Sequence, residues 1–215
     1  MRLGPTGSAQ FEASSSGVVI RYGGREWTVD LSKLPIDPDK CEEAGAQQRC
    51  AGGGGIACLP CVREWQPVAW DEQRETFYMA ASTGTGQNRL WVILIYDLRS
   101  GKLTRLVDYF GGGFDRSGVV SPTGRYLAYV QYSSQGACGT PSSVAVVDTQ
   151  TRSSRLFRPP IAESSERAIV TAIRWTGPSR LEYDAKVDLF SDCVAGLETP
   201  PRLLTAEIDV TFSVR

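Results

Sequence analysis

The stretch Val119–Phe157, VVSPTGRYLAYVQYSSQGACGTPSSVAVVDTQTRSSRLF, decides the fold class of this chain. Its SPTG segment is typical of a tight turn, because Pro122 fixes φ and Gly124 tolerates a backbone conformation that strains other residues. From Arg125 to Gln131 the side chains are expected to alternate between two faces, with Tyr126, Ala128 and Val130 on one and Leu127 and Tyr129 on the other, as in a β-strand. The predicted strands are 125–131, 143–147 and 154–157, with a second turn at 149–152. A sheet of this kind cannot cover both of its own faces, so it needs similar neighbours.

Similar units flank this stretch on both sides. Trp70, Val120 and Trp175 precede equivalent turns at spacings of 50 and 55 residues, and Asp97 and Asp148 end equivalent strands 51 residues apart. A four-stranded unit that recurs at this period is typical of a propeller blade. We therefore predict an all-β fold: a propeller-like array of about three to four antiparallel sheets, complete or incomplete, with a disulfide-rich loop insertion. The predicted segments are a flexible lead (1–16) and a single domain (17–215) made of a hairpin (17–34), a Cys-rich insertion (35–62), blades (67–108 and 116–158) and a partial blade (168–212).

Two motifs resemble a known repeat family. Ser121–Val130, SPTGRYLAYV, resembles the strand-turn-strand core of TolB-like (WD40-like) β-propeller repeats, and 95–106, IYDLRSGKLTRL, resembles the outer hairpin of the same repeats. The resemblance is good over 90–158 and partial at 67–83 and 168–187, and Thr123 replaces the usual Asp. It implies a propeller that binds partners, because this family occurs in binding proteins and as the non-catalytic half of some peptidases.

Composition excludes several classes of function. The chain has 215 residues, enough to bury a substantial core, and its 23 basic and 24 acidic residues give no electrostatic case for nucleic acid. It has no histidine, which excludes Ser-His-Asp and Cys-His catalysis, and no G-x-S-x-G nucleophile motif. No apolar run approaches the roughly 18 residues of a membrane span, and no signal-peptide h-region is found. These absences favour a protein that is not an enzyme.

Six cysteines favour disulfides and an extracytoplasmic (periplasmic or secreted) location. Cys138 and Cys193 lie in equivalent loops of neighbouring repeats, so blade geometry favours a Cys138–Cys193 bridge. The other four are Cys41, Cys50, Cys58 and Cys61, whose pairing stays open: Cys41–Cys61 with Cys50–Cys58, Cys41–Cys50 with Cys58–Cys61, or the crossed form.

An alternative for Cys41, Cys50, Cys58 and Cys61 is a zinc site formed by all four thiolates. Zinc-ribbon spacing needs two close pairs, and only Cys58 and Cys61 form one. A thioredoxin-like role for that pair needs a helix N-terminus, and the Gly-rich sequence before Pro60 offers none. We therefore expect no cofactor.

The candidate functional surface is the set of long loops. In a propeller the loops between second and third strands and those between blades emerge on one face, and long loops on a rigid scaffold are where binding usually occurs. Trp65 could stack on a sugar, although packing in the core or against a loop is the favoured role. The candidate binding residues are Arg49, Arg63, Trp65, Asn88, Arg89, Phe114, Asp115, Arg116 and Asp192.

The sequence is compatible with three functions. The first is a non-catalytic, extracytoplasmic propeller-like module that recognises a protein or peptide partner through its long-loop face. The second is a glycan-active enzyme that uses carboxylates, for which Asp115, Asp192 and other acidic residues are available, although the sequence marks out no pair. The third is a structural subunit, incomplete alone, that closes a ring by homo-oligomerisation.

Overall fold

The structure, a computed structural model, describes residues 2–3, 9–14, 17–29, 62–83, 90–110, 113–114, 118–132, 141–162, 166–189 and 201–210. Every regular element in these ranges is a β-strand, which confirms the all-β fold class. The strands are β1 (Arg2–Leu3), β2 (Ala9–Ser14), β3 (Gly17–Tyr22), β4 (Arg25–Val29), β5 (Val62–Asp71), β6 (Thr76–Thr83), β7 (Leu90–Asp97), β8 (Lys102–Phe110), β9 (Gly113–Phe114), β10 (Val119–Val120), β11 (Tyr126–Tyr132), β12 (Ser142–Asp148), β13 (Ser154–Phe157), β14 (Glu166–Trp175), β15 (Arg180–Leu189) and β16 (Arg202–Asp209).

The strands form four antiparallel sheets in two compact units. The first unit, Met1–Gly111, contains sheet A (β1-β2-β3-β4) and sheet B (β5-β6-β7-β8). The second unit, Gly112–Arg215, contains sheet C (β10-β11-β12-β13, with β9 also paired to β11) and sheet D (β14-β15-β16). Apart from β9, which pairs with β11 and not with β10, strands that are consecutive within a sheet are neighbours in its ladder.

In the first unit, sheets A and B share one apolar core. Phe11 of sheet A stacks on Phe77 of sheet B with their ring centroids 5.4 Å apart. The Trp27 indole Nε1 donates a hydrogen bond to the Leu98 carbonyl oxygen at 2.9 Å, which connects β4 to the turn after β7. The fully buried members of this core include Val18, Ile20, Met79, Val92 and Leu94. Each such aliphatic side chain contributes about 1.5–3 kcal/mol when it leaves water.

Sheets C and D share a second core in the same manner. The Trp175 indole Nε1 donates to the Val119 carbonyl oxygen at 3.1 Å. Near the other end of β14, the backbone N–H of Val170 donates to the Ser142 hydroxyl oxygen at 2.7 Å, beside a β-bulge between residues 170 and 172. The apolar members include Tyr126, Ala128, Val130, Val144, Val146, Leu181, Tyr183 and Ala185. As the alternation predicts, Leu127 and Tyr129 lie on the opposite face of β11, where they are also buried.

The N-terminal sixteen residues differ from the prediction. The sequence predicts a flexible lead at 1–16, but Arg2–Leu3 and Ala9–Ser14 are strands β1 and β2, and sheet A has four strands rather than a hairpin. Ala9 and Phe11 are buried while Gln10 and Glu12 are exposed. Buried and exposed side chains therefore alternate in β2, but over only four residues. Packing on sheet B supplies the stability that the polar composition of this segment does not predict.

Two smaller differences concern strand ends. Gly113–Phe114, predicted to lie in a loop, forms β9 and pairs with Gln131 and Tyr132 of β11. Strand β5 starts at Val62, the last residue of the predicted Cys-rich insertion. The rest of that insertion lies outside the described residues, as do all six cysteines. The Cys138–Cys193 bridge therefore stays a prediction, and so does the single-domain boundary at 17–215.

Equivalent turns follow β7 and β12. Asp97 Oδ1 accepts hydrogen bonds from the backbone N–H groups two and three residues further on, at 2.8 and 3.1 Å, and Asp148 Oδ1 does the same at 2.9 and 3.1 Å. Gly101 (φ +65°) and Arg152 (φ +60°) occupy the same left-handed position in the two turns. A residue with a Cβ is strained at such φ values and glycine is not. The turn of sheet B therefore has the favoured residue, Gly101, whereas the turn of sheet C has Arg152.

This difference predicts opposite effects of two substitutions. Gly101→Ala should lower the free energy of unfolding by about 1 kcal/mol, because a Cβ there meets only the Tyr96 hydroxyl at 3.8 Å and the cost is backbone strain. Arg152→Gly should leave stability unchanged or raise it by up to about 1 kcal/mol. Urea unfolding followed by circular dichroism measures both values. A loss of stability in Arg152→Gly larger than in Gly101→Ala would contradict the strain argument.

The Asp148 carboxyl predicts a pH dependence of stability. Asp148 is fully buried, and burial opposes its ionisation, but hydrogen bonds from two turn N–H groups and from Arg125 outweigh this effect and lower its pKa. Its contribution to stability is therefore complete above the unfolded pKa of about 3.9 and is lost as the pH falls through the lower folded pKa. Asp148→Asn keeps an acceptor oxygen without the charge and should cost about 1–2 kcal/mol at pH 7.

Urea unfolding at pH values from 7 down to 2.5 tests this assignment. The stability difference between the wild type and Asp148→Asn should be largest near neutrality and should shrink below about pH 4. Asp97→Asn changes the same kind of turn at a less buried carboxyl and is the matched control. A constant difference between wild type and Asp148→Asn across this range would show that the charge is not what stabilises the turn.

Candidate functional site

Each unit has its long connections at one end of its sheets. The turns 72–75 and 98–101 in sheet B, 121–125 and 149–153 in sheet C, and 176–179 in sheet D contain four or five residues. The connections 30–61 and 84–89 reach the opposite end of sheet B, and 133–141, 158–165 and 190–201 reach that of sheets C and D. Because consecutive antiparallel strands reverse direction, alternate connections must share an end. We call these two ends the turn end and the loop end of each unit.

Four of the nine predicted binding residues belong by sequence to the loop-end connections: Arg49, Asn88, Arg89 and Asp192. Arg63 and Trp65 lie in β5, within the first four residues after its start, and Phe114 lies in β9. Trp65 is half-buried and packs against the core shared by sheets A and B, so packing is its role here. Arg49, Asn88, Arg89, Asp115, Arg116 and Asp192 lie outside the described residues, as do the four cysteines of the alternative zinc site.

The loop end of sheet D carries a group of charged residues that sequence patterns do not single out. We call Glu166, Arg167, Lys186, Asp188 and Arg202 the charged cluster. Arg167 and Asp188 are directly opposite each other in the β14–β15 register, and their side chains approach to 3.8 Å (Arg167 Nη2 to Asp188 Oδ2). Lys186 is two residues earlier on the same face of β15, and its Nζ lies 3.5 Å from the same Asp188 oxygen.

The other half of the charged cluster lies on the opposite face of sheet D. The Arg202 guanidinium contacts Glu166 Oε2 at 3.4 Å, which joins the first and third strands at their loop end. The same Glu166 oxygen accepts a hydrogen bond of 2.7 Å from the Ala162 backbone N–H. Glu166 therefore holds the end of the β13–β14 connection against the sheet.

Burial separates the members of the charged cluster within each half, since Lys186 is accessible in one half and Arg202 in the other. The side chains of Arg167 and Asp188 are each only 11 % exposed, whereas that of Arg202 is half exposed. A partly buried ion pair is expensive to break, because removal of one partner leaves the other charge desolvated. The Arg167–Asp188 pair therefore fixes the end of sheet D, while Arg202 and Lys186 remain accessible to a partner.

The chemistry of the charged cluster is that of a mixed-charge surface. Three cationic and two anionic groups do not make the single-sign field that binds a nucleic-acid backbone. Among the described residues, no group of three Asp, Glu, His or Cys side chains is placed to hold a metal ion. The part of the chain that the structure describes also contains no helix long and apolar enough to cross a membrane.

The Arg167–Asp188 pair can be tested against an exposed pair in the same sheet. Asp188→Ala should lower the free energy of unfolding by about 1–3 kcal/mol, because it leaves the guanidinium in a mostly buried position. Glu207→Ala removes the exposed contact to Arg180, which spans 3.9 Å, and should cost less than about 0.5 kcal/mol. Chemical denaturation of the two variants measures this contrast. Equal losses would show that burial of the pair contributes nothing.

Comparisons with known proteins leave the family of this chain open. No protein-family model matches the chain, and no curated protein shows significant similarity to it. The resemblance to TolB-like repeats therefore rests on the two motifs of the sequence, and the function must be inferred from the geometry of the sheets and their loop ends.

Proposed function

We propose that this protein is a non-catalytic, propeller-like binding module that acts outside the cytoplasm and recognises a protein or peptide partner through its loop ends. The supporting observation is the asymmetry of each unit. In sheets B, C and D the turn-end connections contain four or five residues, whereas the connections that reach the opposite end contain from six to 32. A rigid set of sheets that concentrates its variable chain length at one end is the usual arrangement of a binding scaffold.

The carboxylates at the turn ends of sheets B and C are already engaged within their own turns, which limits what these groups offer to a partner. The Asp97 and Asp148 carboxylates bind their own turns, and the Thr149 hydroxyl donates to the Arg125 carbonyl oxygen at 2.9 Å. Arg125 in turn pairs with Asp148 at 2.9 Å. A partner would have to displace these internal contacts, whereas the loop ends provide chain that the ladders do not use.

The cysteines support the same surface and the location. By sequence, Cys41, Cys50, Cys58 and Cys61 belong to the connection 30–61, and Cys138 and Cys193 belong to 133–141 and 190–201. All six therefore occur in loop-end connections. Disulfides among them would brace these connections, and disulfides persist in oxidising compartments outside the cytoplasm.

The charged cluster indicates the kind of partner. Accessible Lys186 and Arg202 beside carboxylates form a polar rim, and such rims set the orientation and specificity of protein contacts more than their strength. Mixed charge at the rim suits a folded protein or a peptide with both signs of charge. It does not suit a duplex backbone, which carries one sign throughout.

Selection of a random peptide library displayed on phage against the purified protein tests the proposal. The enriched peptides should lose affinity about two- to fivefold with Arg202→Ser, which removes a loop-end cation. Arg180→Ser is the matched control, because it removes an exposed, ion-paired arginine from the turn end of the same sheet. Binding to this control should equal binding to the wild type.

Three results would contradict the proposal. The first is a selection that enriches no peptide. The second is a set of peptides whose binding responds to Arg180→Ser and not to Arg202→Ser. The third is release of reducing sugar from glycans by the purified protein, which would favour the alternative of a carboxylate-based, glycan-active enzyme.

A further inference from the structure

Two arginines that flank β13 take no part in the ion pairs of the described residues. Most arginines in the described ranges lie within 4 Å of a carboxylate: Arg21, Arg74, Arg99, Arg105, Arg125, Arg167, Arg174, Arg180 and Arg202. Arg152 and Arg158, on either side of β13, have no such carboxylate in the described part of the chain. The sequence from 149 to 162 contains three arginines and no acidic residue. This segment is therefore a local excess of positive charge in a chain whose net charge is −1.

Strand β13 is also the last strand of sheet C in the described ladder, where it pairs only with β12. The Ser153 carbonyl oxygen accepts a hydrogen bond from the Asp148 N–H at 2.9 Å, so Ser153 faces the ladder. Because antiparallel pairing alternates, the backbone N–H and C=O groups of Ser154 and Leu156 point away from β12, toward the open edge. The Leu156 side chain is 47 % exposed.

Arg152 occupies its position at a cost in backbone strain. Its φ of +60° matches the +65° of Gly101 in the equivalent turn of sheet B, where glycine removes the strain. A side chain that persists in a strained conformation suggests that the side chain itself has a use. Since Arg152 is exposed and makes no ion pair with a described residue, that use does not lie within the described fold.

We propose that the open edge of β13, with Arg152, Arg158 and Leu156, binds an extended acidic peptide segment of a partner protein as an added β-strand. The outward N–H and C=O groups would supply the ladder, and the arginines would pair with carboxylates of the peptide. Arg152 and Arg158 are six positions apart, which is about 20 Å along an extended chain and corresponds to a peptide of about seven residues. This edge runs along β13 from Arg152, in the turn-end connection 149–153, to Arg158, the first residue of the loop-end connection 158–165. The inference rests on the backbone of β13 and holds whether or not the longer loops bind a partner.

Extended peptide is favoured over the other polyanions for two reasons. Binding of single-stranded nucleic acid generally uses exposed aromatic rings on which bases stack, but Phe157, the aromatic residue of this segment, packs against the core of sheets C and D. A membrane surface does not offer a row of backbone N–H and C=O groups to pair with those of the strand edge. An extended peptide does, and it would form hydrogen bonds with them directly.

Fluorescence anisotropy with a labelled heptapeptide of alternating Glu and Val tests the proposal, and a heptapeptide of alternating Lys and Val is the charge control. The wild type should bind the Glu/Val peptide, and binding should weaken as salt increases. The double variant Arg152→Gly, Arg158→Ser should bind about three- to tenfold more weakly. Arg152→Gly retains the turn, because glycine is favoured at that φ. Lys102→Ser is the matched control variant, since Lys102 is an exposed cation in the equivalent part of sheet B, and it should bind as the wild type does.

Amide hydrogen exchange distinguishes strand addition from loose electrostatic attraction. The Ser154 and Leu156 amides should exchange readily in the free protein and become protected when the Glu/Val peptide is added. The proposal is wrong if the Glu/Val peptide does not bind, or if the Lys/Val peptide binds equally well. It is also wrong if the arginine double variant binds normally, or if neither amide gains protection. Anionic vesicles or an oligonucleotide that bind with the same arginine dependence, and without protection, would overturn it by assigning the segment to a different polyanion.

Discussion

Every sheet of this protein has an apolar face that it cannot cover by itself. Two rows of alternating apolar side chains, such as Val18 and Ile20 on sheet A and Met79 on sheet B, meet between the sheets of the first unit. Sheets C and D repeat the arrangement in the second unit. A lone sheet of three or four short strands is marginal in water, and burial of these faces supplies most of the free energy that holds the strands in register. The turns, the edge strands and the loop ends all depend on this face-to-face packing.

The fold is largely predictable from the sequence because its signals are local. The turn before β11 is predictable from Pro122 and Gly124, and the strand that follows is predictable from the residues Tyr126–Val130. The period of two along this strand also predicts which side chains share a face, without knowledge of distant contacts. The short strand β2 escapes prediction for the opposite reason. Only Ala9 and Phe11 alternate there, and what orders the segment is the stacking of Phe11 on Phe77, which is distant in sequence. A contact of that kind leaves no trace in a local pattern.

The candidate site is less predictable. Sequence reasoning favours loop positions because binding residues are common on loops, but the charged cluster is built from strand residues. Arg167 faces Asp188 only because a β-bulge near Val170 sets the register of β14 against β15. A bulge adds one residue to one strand, and nothing in the sequence around Thr171 marks it. The Trp65 position is correctly associated with packing, because large aromatic residues in strands usually serve a core.

The Ser142 hydroxyl has a mechanical consequence. It stands where the connection from β11 enters β12, and it accepts the backbone N–H of Val170 in the adjacent sheet. The Val170 N–H of sheet D is thereby hydrogen-bonded by a side chain of sheet C. Ser142 is the first residue of β12 and follows directly, in sequence, the connection 133–141. The first residue of β12 is thereby tied to the backbone of β14, so the two sheets resist being pulled apart at this point.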